Sequence, residues 1–105
     1  MVRTAKTPVK AKKQPDKRLA KVPSEYVFWS HDGKIFADLA ELAEGLAAMS
    51  DETFAYHSNL EKRDFSNWVR DVIGDELLAD YLANLTDRVR SADYVSARIT
   101  LLSGK

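Results

Sequence analysis

The chain has no cysteine, four isolated glycines, three prolines, and no apolar run of membrane-spanning length. Without thiols there is no disulfide, no thiolate metal ligand and no cysteine nucleophile. Such a composition suits a reducing compartment without requiring one. Glycines 33, 45, 74 and 104 are too dispersed for a phosphate-cradling loop. A membrane-spanning helix needs about 20 consecutive apolar residues, so no membrane insertion is expected. The basic N-terminus is not followed by an apolar stretch and does not read as a secretory signal. A cytoplasmic location is the expectation, and 105 residues fit one small domain.

The formal net charge of zero hides a division. Residues 1–23 carry eight Lys/Arg against Asp16 alone, and residues 24–105 carry the other eight against fifteen Asp/Glu. The chain is thus a cationic tail on an acidic domain. All three prolines (Pro8, Pro15, Pro23) lie in the tail, which has little to bury, so residues 1–23 are expected to be disordered. Lys6, Lys10, Lys12, Lys13, Lys17, Arg18 and Lys21 are its candidate electrostatic contacts. A Lys-Ala-Pro-rich arm of this kind binds phosphate backbones without reading sequence. It also serves as a solubilising extension, or folds back onto its own acidic domain.

From residue 24 the composition changes. Tyr26, Val27, Phe28 and Trp29 favour a strand, Asp32-Gly33 reads as a two-residue hairpin turn, and Ile35-Phe36 as the return strand. Alternation places Tyr26 and Phe28 on one face and Val27 and Trp29 on the other. One face must pack on helices, because a lone ribbon is not stable.

Residues 38–103 read as helices. Asp38 with Glu41 forms a capping box ahead of Leu39, Leu42, Ala43, Leu46 and Ala47, with Glu41 and Glu44 facing water. Gly45 weakens that helix by about 1 kcal/mol relative to alanine unless a close crossing uses it. Ser50 caps a short helix with Asp51 and Glu52 in its first turn, ending near His57 and anchored by Phe54. After a loop at 58–63, Asp64 is expected to cap a helix with a stripe of Phe65, Trp68, Val69, Val72 and Ile73, stopped by Gly74. Asp75 caps a fourth helix through Leu78, Tyr81, Leu82, Leu85 and Val89. Ser91 caps a last one buried through Ala92, Val95, Ile99 and Leu102. The expected fold is mainly α: a compact bundle of four to five short helices preceded by a small β-hairpin, with a disordered basic tail.

The series Phe28, Asp32-Gly33, Leu39, Glu41-Leu42, Phe54-x-Tyr56-His57, Asp64-Phe65-x-x-Trp68 and Leu78 resembles a small prokaryotic helical domain family of unknown function, over about residues 26–100. Arg63 stands where that pattern has asparagine. The resemblance implies a reusable module and no particular reaction.

Chemistry-bearing residues concentrate in one corner. His57 at a helix end, with Tyr56, Asn59 and Asp64, is the candidate binding or proton-transfer site; the alternative is a histidine that only pins the loop. A Ser-His-Asp hydrolase would need a nucleophile elbow that is absent. There is no His-x-x-x-His or Glu-x-x-His spacing for a metal, and the fifteen domain acids read as a solvated surface rather than a catalytic carboxylate pair. No catalytic residue, cofactor or metal ligand is assigned. Trp68 and Phe65, at helical spacing, read as core. The expectation is therefore a non-catalytic protein-interaction or adaptor module with a cationic tether, docking a protein partner through the 57–64 loop and the hairpin face. The alternative is a nucleic-acid-associated protein that binds through the tail.

Overall fold

The computed structural model describes residues 16–104. Two single 3-10 turns, Lys17–Leu19 and Ser24–Tyr26, lead into strands β1 (Phe28–Trp29) and β2 (Ile35–Phe36). Five helices follow: α1 (Leu39–Ala48), α2 (Asp51–His57), α3 (Asp64–Trp68, running straight into a π turn at Val69–Ile73), α4 (Glu76–Ala83) and α5 (Arg88–Leu102). The fold is mainly α with the hairpin in front, as the residue pattern predicts.

The hairpin is smaller than its β-prone residues suggest. Tyr26 belongs to the preceding 3-10 turn, and each strand is two residues long, paired antiparallel as Phe28 with Phe36 and Trp29 with Ile35. The connection is three residues rather than two. Ser30 and Lys34 close it through Ser30 N–H to Lys34 O at 2.8 Å, and Gly33 takes φ 91° as its last residue, the left-handed position such a loop requires. Phe28 and Phe36 turn inward and stack at 5.9 Å, while Trp29 and Ile35 face out.

Helix α1 begins as its capping box dictates, with Asp38 Oδ1 accepting from Glu41 N–H at 2.8 Å. Glu41 does not simply face water. Its carboxylate accepts from Ala37 N–H at 2.7 Å and from Lys21 Nζ at 2.9 Å. Leu39, Leu42 and Leu46 are fully buried, each worth about 1.5–3 kcal/mol of hydrophobic stabilisation, whereas Ala47 at the edge of the expected face is exposed. The most extensive helix contact is between α1 and α5. Arg88 fastens it by donating to the Leu46 and Ala47 carbonyls, both at 2.8 Å, and to Asp51 at 2.9 Å. Those carbonyls are among the unpaired acceptors every helix C-terminus leaves. Gly45 is used by a close approach, though not of a helix: the Phe36 ring occupies the space where its side chain would stand.

The largest departure from the expected boundaries in the second half is at residues 84–87. The fourth helix stops at Ala83 and the fifth starts at Arg88, capped by Asp87, whose side chain accepts from Arg90 N–H. Ser91 lies inside α5 and bonds back to the Asp87 carbonyl. The apolar spacing 82–85–89 runs across the break and conceals it. Ala92 and Val95 are nevertheless core, with Ile99 and Leu102 packed against it.

Residues 16–23 were expected to be disordered with the rest of the tail, and the structure corrects this. Leu19 and Val22 pack against the core, Val22 N–H donates to Ala37 O at 2.8 Å, and Lys21 pairs with Asp38 and Glu41. Two apolar residues and a doubly bonded lysine offset the ordering entropy that a purely polar segment could not. Hydrogen bonds that Lys21 donates to the Glu41 and Asp38 carboxylates raise its pKa above the ordinary value. Arg18 is bound by Asp16, whose carboxyl it holds well below the usual range. Lys6, Lys10, Lys12 and Lys13 lie outside the described residues.

Candidate functional site

Helix α2 is short because Ser50 starts it, its Oγ accepting from Thr53 N–H at 3.0 Å, and the chain turns at Ser58 after His57. The turn returns through a bridge between Ser58 and Arg63, so α3 begins next to the end of α2. This brings His57 and Asp64 together: His57 Nδ1 lies 2.9 Å from Asp64 Oδ2. The other ring nitrogen, Nε2, accepts the backbone N–H of His31 at 2.9 Å. A backbone N–H can only donate, so Nε2 is the acceptor and the ring proton sits on Nδ1, aimed at the carboxylate. The imidazole is 4% exposed and lies among the Phe28, Tyr56 and Phe65 rings, with centroids 4.9–5.2 Å away.

Both ring nitrogens are therefore occupied within the fold. A general base needs a free lone pair within reach of a substrate proton, and a metal ligand needs one aimed at the ion. In this arrangement His57 offers neither. What it does is latch the hairpin tip, the end of α2 and the start of α3 to one another.

The other members of the expected corner are placed differently. Asn59 does not join His57. It is folded into its own loop, with Oδ1 accepting from Glu61 N–H at 2.8 Å and Lys62 N–H at 3.0 Å, and Nδ2 donating to Ala55 O at 2.9 Å. Tyr56 lies on the outside, with the His31 ring stacked on it at 3.9 Å and Lys62 Nζ 4.0 Å from its centroid. Asp64 was expected to cap α3. Instead it is the first residue of that helix and binds His57 and Lys62, leaving no side-chain cap there. Arg63 donates to the Ala83 carbonyl at 3.0 Å, tying the loop to the end of α4. The nearby cleft, of about 240 Å³, lies between Ser58–Leu60, Arg63, Ala83 and Leu85–Thr86, and neither His57 nor Asp64 lines it.

A second buried polar contact had no signal in the sequence. Asp75 caps α4 through Leu78 N–H at 3.2 Å and also binds Arg98 through Nε at 2.7 Å and an Nη at 3.1 Å. Burial pushes the Asp75 carboxyl up, but the Arg98 guanidinium and the Leu78 amide outweigh it, and the net direction is downward. Spacing alone does not link positions 75 and 98. Only the packing of α5 beside the start of α4 does.

The outer surface is where unpaired apolar area gathers. Trp29 is 69% and Ile35 48% exposed, side by side on the outward face of the hairpin. Leu60 projects at the loop tip. Phe65 and Trp68 are core, and the Trp68 indole N–H donates to Tyr26 O at 2.8 Å. Among the described residues no group of three or more His, Cys, Asp or Glu side chains is arranged to hold a metal ion, and no helix is long and apolar enough to cross a membrane. In comparison with known proteins, no family model, no curated protein and no solved structure matches the chain.

Proposed function

We propose that this protein is a non-catalytic interaction module that docks a protein partner through the outward face of its hairpin. The observation that carries this reading is the exposed Trp29–Ile35 pair. Tryptophan is enriched among residues that dominate binding energy, and here it is held out by a hairpin whose other face is locked into the core. The closed His57 corner supports a scaffolding role, since it fixes the hairpin tip at His31 without presenting a reactive group. The resemblance to a prokaryotic module of unknown function and a cytoplasmic setting belong to the same reading.

A photo-crosslinking amino acid at position 29 tests it in the cells that make the protein. One defined adduct is expected, lost on Ile35→Ser and absent when the crosslinker is moved to exposed Glu52. Adducts no different from those of position 52 would sink the reading.

The charge division favours a second reading, phosphate-backbone binding through the tail, since residues 1–23 hold eight cationic side chains. Lys21 and Arg18 already have acidic partners, so exposed Lys17 and the cations before residue 16 are the ones at issue. Deleting residues 1–15 should abolish retardation of duplex DNA at low salt, with Lys21→Ala having little effect. Retardation unchanged by that deletion would refute it.

A further inference from the structure

Helix α5 carries two apolar seams. Ala92, Val95, Ile99 and Leu102 are answered by the core. Tyr94, Ala97 and Leu101, spaced by three and four on an adjacent face, are exposed. Helix α4 repeats the pattern: Leu78 and Leu82 are buried, while Leu77 and Tyr81 remain exposed. Because a short loop joins the two helices as a hairpin, their second seams meet. Tyr81 and Tyr94 stack at 5.1 Å, and a groove of about 220 Å³ opens between Leu77 and Leu101 with Leu78 among its lining residues. Leu101 is 68% exposed. Scattered apolar residues on a surface need no explanation, but a contiguous stripe of this kind does.

The groove's dimensions and charges select its occupant. From Tyr94 to Leu101 it runs about 10 Å, two helical turns. Arg98 lines it, but its guanidinium is bound to Asp75 and leaves chiefly its aliphatic stem to the wall. Helical periodicity puts Glu76 and Asp80 on the outer side of the α4 stripe and Asp93 on the outer side of the α5 stripe. Arg70 holds one oxygen of Asp80, and Arg90 stands near one end. A second copy of this chain would bring its own Glu76, Asp80 and Asp93 against these, and an anionic membrane would be repelled by them.

We propose that the α4–α5 groove is a second docking surface, taking a basic amphipathic helix from a partner protein. Apolar side chains at i, i+3 or i+4, and i+7 would lie between Leu77 and Leu101, with Lys or Arg on the flanks against the carboxylates. It shares no residue with the hairpin face and stands or falls apart from it.

The test uses a fluorescein-labelled peptide of about 14 residues, with leucines at that spacing and lysines elsewhere, and its counterpart with glutamate for lysine. Anisotropy with the full chain should show binding of the lysine peptide that weakens as salt is raised. Leu101→Asp and Tyr94→Ala should each raise Kd at least about tenfold, Trp29→Ser should leave it unchanged, and the glutamate peptide should not bind. Circular dichroism confirms that each variant is folded. If Leu101→Asp perturbs the fold, Leu77→Ser serves in its place. The proposal is overturned if the lysine peptide does not bind, if folded groove variants bind it as the parent does, or if the glutamate peptide binds equally. It is also overturned if sedimentation shows a dimer that Leu101→Asp dissolves, which would make a second copy the occupant.

Discussion

Asp64 and Asp75 look alike in the sequence: each stands at the start of a helix, ahead of an apolar stripe, where a capping aspartate is expected. The fold gives them different work. Asp75 caps its helix and is also a buried charge, 1% exposed and held by Arg98. Asp64 caps nothing. About a third of its side chain meets solvent, and its partners are a neutral imidazole and Lys62. A carboxylate removed from water depends on its counter-charge, whereas one at the surface keeps hydration as an alternative partner. The pair shows that a residue's local role can be read from its neighbours in the chain, but its energetic role is set by what the rest of the fold places against it.

Breaking each contact should expose that difference. Arg98→Met leaves Asp75 buried without a counter-charge and should cost about 3–5 kcal/mol, read from the urea midpoint. Adding Asp75→Asn to it should recover much of the loss, because the amide oxygen still caps Leu78 N–H. A loss below about 1 kcal/mol for Arg98→Met would place Asp75 with the surface carboxylates. His57→Leu leaves the part-buried His31 N–H unbonded, while Asp64 Oδ2 keeps Lys62, and should cost about 1–3 kcal/mol by the same measurement.

The pH dependence separates the two aspartates further. The Asp75 carboxyl is lowered in the fold, so its contribution is complete above the unfolded value of about 3.9 and is lost as acid protonates it below that. The stability gap between parent and Asp75→Asn should therefore hold at neutral pH and narrow from about pH 4 downward. A gap independent of pH would mean that the charge of Asp75 contributes nothing. Asp64→Asn, which keeps an acceptor for His57, should cost less than about 1 kcal/mol.

Much of the local structure is written in the sequence. Asp38, Ser50 and Asp75 each accept the amide that their spacing to the following helix predicts, and Gly33 and Gly74 take the positive φ that ends a hairpin loop and a helix. What is not written there is long range. The break at Asn84–Asp87 is masked because Leu82, Leu85 and Val89 keep a helical rhythm across it, although Asp87 itself is a capping signal. The order of residues 16–23 depends on Leu19 and Val22 finding a core assembled from residues that come later in the chain. In the candidate corner, the residue types pointed to His57 and Asp64, which do meet. The backbone N–H of His31 that occupies the second ring nitrogen has no side-chain signature, and it turns a plausible reactive group into a latch.

Gly45 beneath the Phe36 ring carries a consequence for substitution. In an ordinary helix interior, alanine for glycine gains about 1 kcal/mol; here it meets the ring and should destabilise instead. With Phe36→Val already in place the obstruction is gone, and Gly45→Ala should stabilise by several tenths of a kcal/mol or more. Positions 36 and 45 thus form a non-additive pair in which one substitution changes sign with the other. A double-mutant cycle would read this directly, and any sequence that keeps the hairpin on α1 must change the two together.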